Sequence, residues 1–442
     1  MSREAPLKAE KDFSETLNEQ FPQIDILTKN DYQSALDKLL LLEKQTRQAS
    51  DLESSKRVLG KIVEVLTSNN DWNLLNEQLT LLSKKHGQLK LSIQSMVQKI
   101  IESIDTISDT ATKVEVIETI RTVTENKIYV EVERARVTRI LTKIKLDQGD
   151  LDTAAELLCE LQVETYGSME LNEKIEFILE QMELTIKKGD FEQAKILSRK
   201  ILERTLNEDE FKVLKQRYFE LKIKISLNDS DYLEVAKNYL KIYSIDTIQN
   251  DKQSLNEILI NIVYFIILAP YDNLQHDLIN KVYIDANLKN LETHYQLIKS
   301  FIKQELMRWP KIEETFGSEF KKSFVFSEPT IGDKRLGDLR SRVIEHNLRI
   351  ISKYYSNISI QRINQLLDLS ELETEQFISD LVFKGVIYAK INRPKKIVSF
   401  SKPKASNDLL NEWSRNVDEL LSEIETIGHL ITKEEIINEI KV

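Results

Sequence analysis

The sequence predicts a mostly α-helical protein. A right-handed solenoid of TPR-like helix pairs, repeating about every forty residues, is followed by a winged-helix module and a long C-terminal helix. Three observations predict this. Residues that make turns are scarce, an aspartate-led phrase recurs at a fixed step, and a heptad seam runs unbroken near the C-terminal end. Glycine and proline number 10 and 7 in 442 residues, where average usage would supply about 53 together. Strand-rich folds need such residues at their turns, so the deficit points to long helices with short connections. A chain this long exceeds one ordinary core and divides into units or a repeat array.

The recurring phrase is an aspartate, usually an aromatic or apolar residue next, and alanine or leucine four positions after the aspartate. It reads Asp31-Tyr32 with Ala35, Asp71-Trp72 with Leu75, Gly149-Asp150-Leu151 with Ala154, and Gly189-Asp190-Phe191 with Ala194. Asp231-Tyr232 is looser, with its alanine at Ala236, and Asp109-Thr110 keeps only the aspartate. The steps between aspartates are 40, 38, 41, 40 and 41. Glycine or asparagine before the aspartate can take the positive φ that closes the preceding helix. The aspartate caps the next helix and favours its positive end. The aromatic wedges between helices, and the small residue a turn later lets them approach. Two helices of ~15–18 residues plus turns fill forty residues, and such pairs bury a continuous core only by stacking. Within one pair, Ile175, Ile178, Leu179, Met182 and Ile186 trace a buried stripe.

Beyond Pro310 the pattern changes. Phe316 to Asp333 holds Gly317, Pro329, Gly332 and several serines, and reads as a loop. A helix resumes with Leu336, Leu339, Val343, Ile350 and Tyr354. Ile360 to Leu367 then predicts a short helix, Asp368-Leu369-Ser370 a turn, and Glu371 to Lys384 a second helix closed by Gly385. Val386–Ile391 and Ile397–Phe400, separated by Asn392-Arg393-Pro394, predict a two-stranded wing. In the tail, Leu410, Trp413, Val417, Leu420, Ile424, Ile427 and Ile431 step by 3, 4, 3, 4, 3, 4. This is the seam of a helix that packs on other helices, either its own domain or a partner. Thr432 with Glu435 suggests a capping box opening one further turn.

The chemistry of sites is sparse. No two of His86, His276, His294, His346 and His429 lie close enough for a zinc pair. His346 reads as a core histidine between Val343 and Ile350, and Cys159 as a packed thiol inside a helix. One cysteine excludes an internal disulfide framework. Neither a GxxxxGK[ST] loop nor a GxGxxG turn occurs, and Glu313-Glu314 and Glu434-Glu435 read as solvated faces. No enzyme activity, metal or cofactor is expected. From Met1 to Asp12 charges are mixed and no apolar run follows, so no signal peptide is expected. Ile258 to Ala269, the most apolar stretch, is 12 residues long against the ~20 of a membrane span. Nucleic acid is the rival class. Arg393, Lys395, Lys396, Lys402 and Lys404 would suit phosphates. The second helix, however, carries Glu371, Glu373, Glu375 and Asp380 against Lys384, and the net charge is −10. DNA would repel such a helix.

A helical-repeat arm ending in a winged helix and a long helix resembles the PCI-domain proteins. They scaffold the proteasome lid, the COP9 signalosome and the translation initiation factor three complex. The stretches LLSKKHGQLK (81–90), VTENKIYVEVERARV (123–137), LQVETYGSM (161–169), LAPYDNLQHDLI (268–279) and ELMRWP (305–310), with residues 411–435, narrow the likeness. They are similar to PCI-domain lid subunits of the 26S proteasome regulatory particle, of the non-ATPase regulatory subunit 12 type. The resemblance divides the chain into an N-terminal solenoid (1–230), a PCI domain (231–404) and a C-terminal bundle helix (405–442). Within the PCI domain, 231–355 is helical and 356–404 is the winged helix. It implies a non-catalytic scaffold in the cytoplasm and nucleus, supporting lid assembly and ubiquitin-dependent degradation. The implied partners are other lid PCI subunits and the lid's metalloprotease deubiquitinase, in a hetero-oligomer without nucleic acid or membrane. The signalosome is the alternative assembly. The residues that would join partners are Val386, Tyr388, Ile391, Ile397 and Phe400 in the wing, and the seven seam positions from Leu410 to Ile431.

Overall fold

The computed structural model describes residues 13–28, 32–107, 109–208, 211–249, 251–327 and 329–438. The expectations placed on Met1 to Asp12 and on Asp31 lie outside these. The chain divides into two compact units, Met1–Ser230 with Ser244–Thr247 and Asp231–Tyr243 with Ile248–Val442.

The first unit is a stack of helix pairs, as its repeat predicts. Tyr32–Gln48 pairs with Leu52–Ser68, Thr110–Thr124 with Glu131–Asp147, and Leu151–Cys159 with Leu171–Lys188. Successive pairs pack through like helices: Leu52–Ser68 lies on Lys90–Ser103, and Trp72–Lys84 on Thr110–Thr124. The phrase does its work at each joint. Gly149 and Gly189 adopt φ of +84° and +89°, and Asn70 and Ser230 take the same left-handed region at +55° and +58°. Asp71 accepts from the Leu74 N–H at 3.4 Å and Asp190 from the Gln193 N–H at 3.1 Å. Asp109 accepts from the Ala111 and Thr112 N–H groups, and Asp231 from that of Glu234. Asp150 opens its helix without a side-chain cap bond. The small positions Ala35, Leu75, Ala154, Ala194 and Ala236 are completely buried.

Polar contacts repeat with the same period. Lys85 pairs with Glu43 across 42 positions, Arg121 with Glu160 across 39, and Arg139 with Glu180 across 41. The buried Glu133 accepts at Oε1 from Gln94 at 2.9 Å and Gln98 at 2.7 Å, which offsets part of its desolvation. These contacts tie each pair to the next in register, beyond what apolar stacking specifies.

In the second unit the apolar helix Lys252–Leu268 is buried from Ile262 onward, and no described helix is long and apolar enough to cross a membrane. The loop expected over Phe316 to Asp333 is a correction: apart from Ser323, its described residues are helical. Trp309–Lys322 is followed by the short turn Phe324–Ser327 and the 26-residue helix Pro329–Tyr354. Tertiary packing outweighs the serine and glycine content. Phe320 and Phe326 stand 5.2 Å apart and both meet the ring of Tyr264, at 5.8 and 5.4 Å. Gly332 is required by close approach, because a Cβ there would lie 2.2 Å from the Phe326 carbonyl oxygen. Gly332→Ala will therefore destabilise this unit by about 1–3 kcal/mol, the usual cost of overpacking against backbone. Urea unfolding measures it, and a variant as stable as the parent would show that the two segments do not touch.

Candidate joining surfaces in the wing and the terminal helix

The winged helix is built from Ile360–Leu367 and Glu371–Phe383, joined by a turn in which Asp368 takes φ +53°. A full capping box starts the second helix: the Glu373 N–H donates to Ser370 Oγ at 3.4 Å, and the Ser370 N–H returns to Glu373 Oε2 at 3.0 Å. The Ser370 hydroxyl also donates to Glu373 Oε2 at 2.7 Å, and this bond first, then the backbone one, lowers the Glu373 pKa. Gly385, at φ +71°, ends the helix, with the Val386 N–H reaching back to the Leu381 carbonyl at 3.0 Å.

The wing has three short strands, β1 (Asn357–Ser359), β2 (Lys390–Asn392) and β3 (Ile397–Ser399), in the order β1-β3-β2. β1 is beyond the sequence expectation, and Val386–Ala389 has no ladder. The longer strand expected from Val386 is corrected to β2, because that segment instead closes the helix end. Both pairings are antiparallel: Ile391 and Ile358 oppose Val398, and Asn392 and Ser359 oppose Ile397. Alternation sorts the faces. Ile358, Ile391 and Val398 turn toward the winged-helix core, while Lys390, Asn392, Asn357 and Ile397 face out. β2 lies at the sheet's edge, with its outer side unpaired within this sheet.

The five wing residues singled out from sequence are placed unequally. Phe400 is buried in this core, Val386 and Ile391 are half-buried against it, and Tyr388 is half-buried. Ile397 is exposed. The wing's open side thus presents the backbone of β2 and the outward row beside it, with the core residues behind them.

The wing's cations have partners on the acidic helix. Arg393 pairs with Glu375 at 3.2 Å and Lys396 with Glu371 at 3.0 Å. These are exposed pairs, worth at most about 1 kcal/mol. With Lys404 on Glu412 of the terminal helix, three of the five wing cations already face carboxylates. Sequence reasoning missed the apolar part of this helix: Leu372, Val382 and Phe383 are exposed, Phe383 at 94%. The signal was the eleven-residue step from Leu372 to Phe383, three helical turns on one face.

The terminal helix Ser406–Ile437 runs unbroken for 32 residues and buries none of them. At ~1.5 Å per residue it is about 48 Å long. The second helix start expected at Thr432 is corrected: its hydroxyl donates to the Gly428 carbonyl at 3.0 Å, inside a continuous helix. Leu410, Trp413, Val417, Leu420, Ile424, Ile427 and Ile431 are all exposed, from 40% to 68%. Leu409, Leu421 and Leu430 widen the stripe. The helix is not folded against its own domain.

Elsewhere, Cys159 is partly buried, and that burial raises its pKa away from a reactive thiolate. Among the described residues no group of three or more His, Cys, Asp or Glu is placed to hold a metal.

Known proteins match along the whole chain. Residues 34–251 match the family described as PSMD12/CSN4, N-terminal, residues 288–402 the PCI domain, and residues 407–439 the 26S proteasome regulatory subunit RPN5 C-terminal domain. The 26S proteasome regulatory subunit RPN5 of Saccharomyces cerevisiae is 59% identical over 440 residues, 99% of each chain. The 26S proteasome non-ATPase regulatory subunit 12 of Dictyostelium discoideum is 40% identical over 92% of this chain and 90% of that one. COP9 signalosome complex subunit 4 of Drosophila melanogaster is 31% identical over 85 residues, 19% of this chain and 20% of that one. An arm of stacked helix pairs, a winged helix with an open edge and an unpartnered terminal helix thus coincide with full-length similarity, and the chain belongs to the PCI-domain family of 26S proteasome regulatory subunits that includes RPN5 and non-ATPase regulatory subunit 12.

Proposed function

We propose that this chain is a non-catalytic scaffold subunit of the lid of the proteasome regulatory particle. It supports lid assembly and ubiquitin-dependent protein degradation in the cytoplasm and nucleus. The observation that carries the reading is the terminal helix, whose seven seam residues are all exposed along one unbroken element that buries none of its residues. An apolar stripe of this length is built to be covered. The wing edge at β2 and the seam from Leu410 to Ile431 are the joining surfaces: the first takes a neighbouring lid subunit's strand, the second a helical bundle. The metalloprotease deubiquitinase of the lid is a neighbour in the same assembly. Catalysis has no part in this reading: Tyr218, Tyr264 and His346, among the most strongly shifted groups, are buried core side chains.

Purification of the tagged chain with mass spectrometry will recover the proteasome lid. The limited likeness to a signalosome subunit supplies the competing outcome. Signalosome subunits recovered without proteasome subunits would overturn the assignment.

A further inference from the structure

One cavity of the second unit is absorbed by none of the joining surfaces. It measures about 180 Å3 and lies among the helices Asn273–Ile284 and Pro329–Tyr354, the end of Glu292–Ile302, and the turn at Val386 and Ile387. Four of its lining residues, Tyr271, Gln275, His276 and Ile279, fall in the LAPYDNLQHDLI stretch that sequence reading singled out. Its floor is buried, with His346 4% and Gln275 8% exposed, whereas His276, Gln304 and Lys353 at its mouth are exposed.

The lining contains no carboxylate, yet it contains Arg349, Lys353, His276 and His346. Arg349 is the centre of the arrangement. Its guanidinium stacks on Tyr271, 3.5 Å from the ring centroid, and Nη2 lies 3.3 Å from His346 Nδ1. Its Nε is buried and meets no acceptor. The acid one turn away, Glu345, is taken by Arg342 and by Lys384 at 3.4 Å. Arg349 is thus held rigidly on two sides, without a carboxylate of its own, beside a space with room for several waters at about 30 Å3 each. A half-buried guanidinium without a counterion is costly, and its planar fork matches an oxyanion. His346 stays neutral through burial and the Arg349 charge, so it can accept from the guanidinium and keep it aimed.

We propose that this cavity is a binding site for phosphate, free or as the monoester of a small molecule, with Arg349 as the principal contact and Lys353 and His276 at the mouth. The full-length chain is titrated calorimetrically with inorganic phosphate and with glycerol phosphate, against chloride and acetate at matched ionic strength. Saturable binding of either phosphate is expected, weakened roughly tenfold in Arg349→Gln and severalfold in Lys353→Gln. The stronger of the two ligands identifies the source. Absence of saturable phosphate heat, affinity unchanged in both variants, or tighter binding of acetate than of either phosphate overturns the proposal. Lys353 is on the surface, so K353Q decides the matter even if R349Q fails to fold.

Discussion

Leu420→Lys combined with Ile424→Lys will leave the chain folded and abolish its incorporation into the lid. Both side chains are more than half exposed, and the helix that carries them buries nothing. Surface changes of this kind move stability by less than about 0.5 kcal/mol, and lysine is nearly as good a helix former as leucine. In a bundle the same positions become core. Each aliphatic side chain withdrawn from water there contributes about 1.5–3 kcal/mol, and a charge left in its place costs several more. Two such changes outweigh the affinity of an ordinary interface contact by orders of magnitude. Circular dichroism and urea unfolding should match the parent, while native electrophoresis of assembled lid should show the variant free. Normal incorporation would show that the seam is not where this subunit joins.

The repeat and the tail were legible in the sequence because each depends on local rules. Asp71 and Asp190 cap helices through their own side chains, Gly149 and Gly189 supply the backbone geometry that stops the helix before, and the seam is a spacing that any helix preserves. The segment from Phe316 to Asp333 was not legible, because its helices are held by partners distant in sequence. Phe320 and Phe326 converge on Tyr264, and Gly332 exists to admit the Phe326 carbonyl, which looks like loop composition until the contact is known. β1 is three residues long and carries no alternating signal of its own. It is defined by pairing with β3. In the wing, alternation marked apolar residues correctly but could not tell a core face from a partner face. Phe400 and Ile397 look alike as strand residues, and one is buried where the other is exposed.

The acidic helix shows how charge was informative and incomplete at once. Glu371 and Glu375 argued against DNA on composition alone, and the structure adds where those charges go: onto Lys396 and Arg393 of the wing. The helix thus meets its own wing through two exposed ion pairs beside the β2–β3 turn. Apolar Phe383, at the other end of the helix, stays free of that network. Contact with the wing and exposure of apolar surface are thus divided between two ends of one element.

Lowering the pH from 6.5 to 4 will destabilise the second unit by about 3 kcal/mol through His346. Its pKa falls from 6.5 to about 4 in the folded chain. Burial is the main cause and the Arg349 charge the next. Lys353 acts in the same direction, and the backbone at Glu305 and Lys303 opposes them. Phe301 supplies the apolar wall, its ring 5.7 Å from the imidazole. The folded state therefore keeps the imidazole neutral over an interval in which the unfolded chain takes up a proton. The stabilising contribution is complete above pH 6.5 and disappears progressively as pH falls toward 4. His294, buried beside Tyr264 at 2.9 Å, shifts in the same direction, with burial outweighing Glu319, so the loss will be steeper than His346 alone gives. Amide exchange along the helix Pro329–Tyr354 reads the unit directly, whatever the first unit does. In His346→Gln, which cannot titrate but keeps an acceptor for Arg349, protection at neutral pH will be lower and its fall between pH 6.5 and 4 clearly shallower than in the parent. Parallel slopes in parent and variant would mean that folding does not lower the His346 pKa, and that the Arg349 contact is not what the geometry describes.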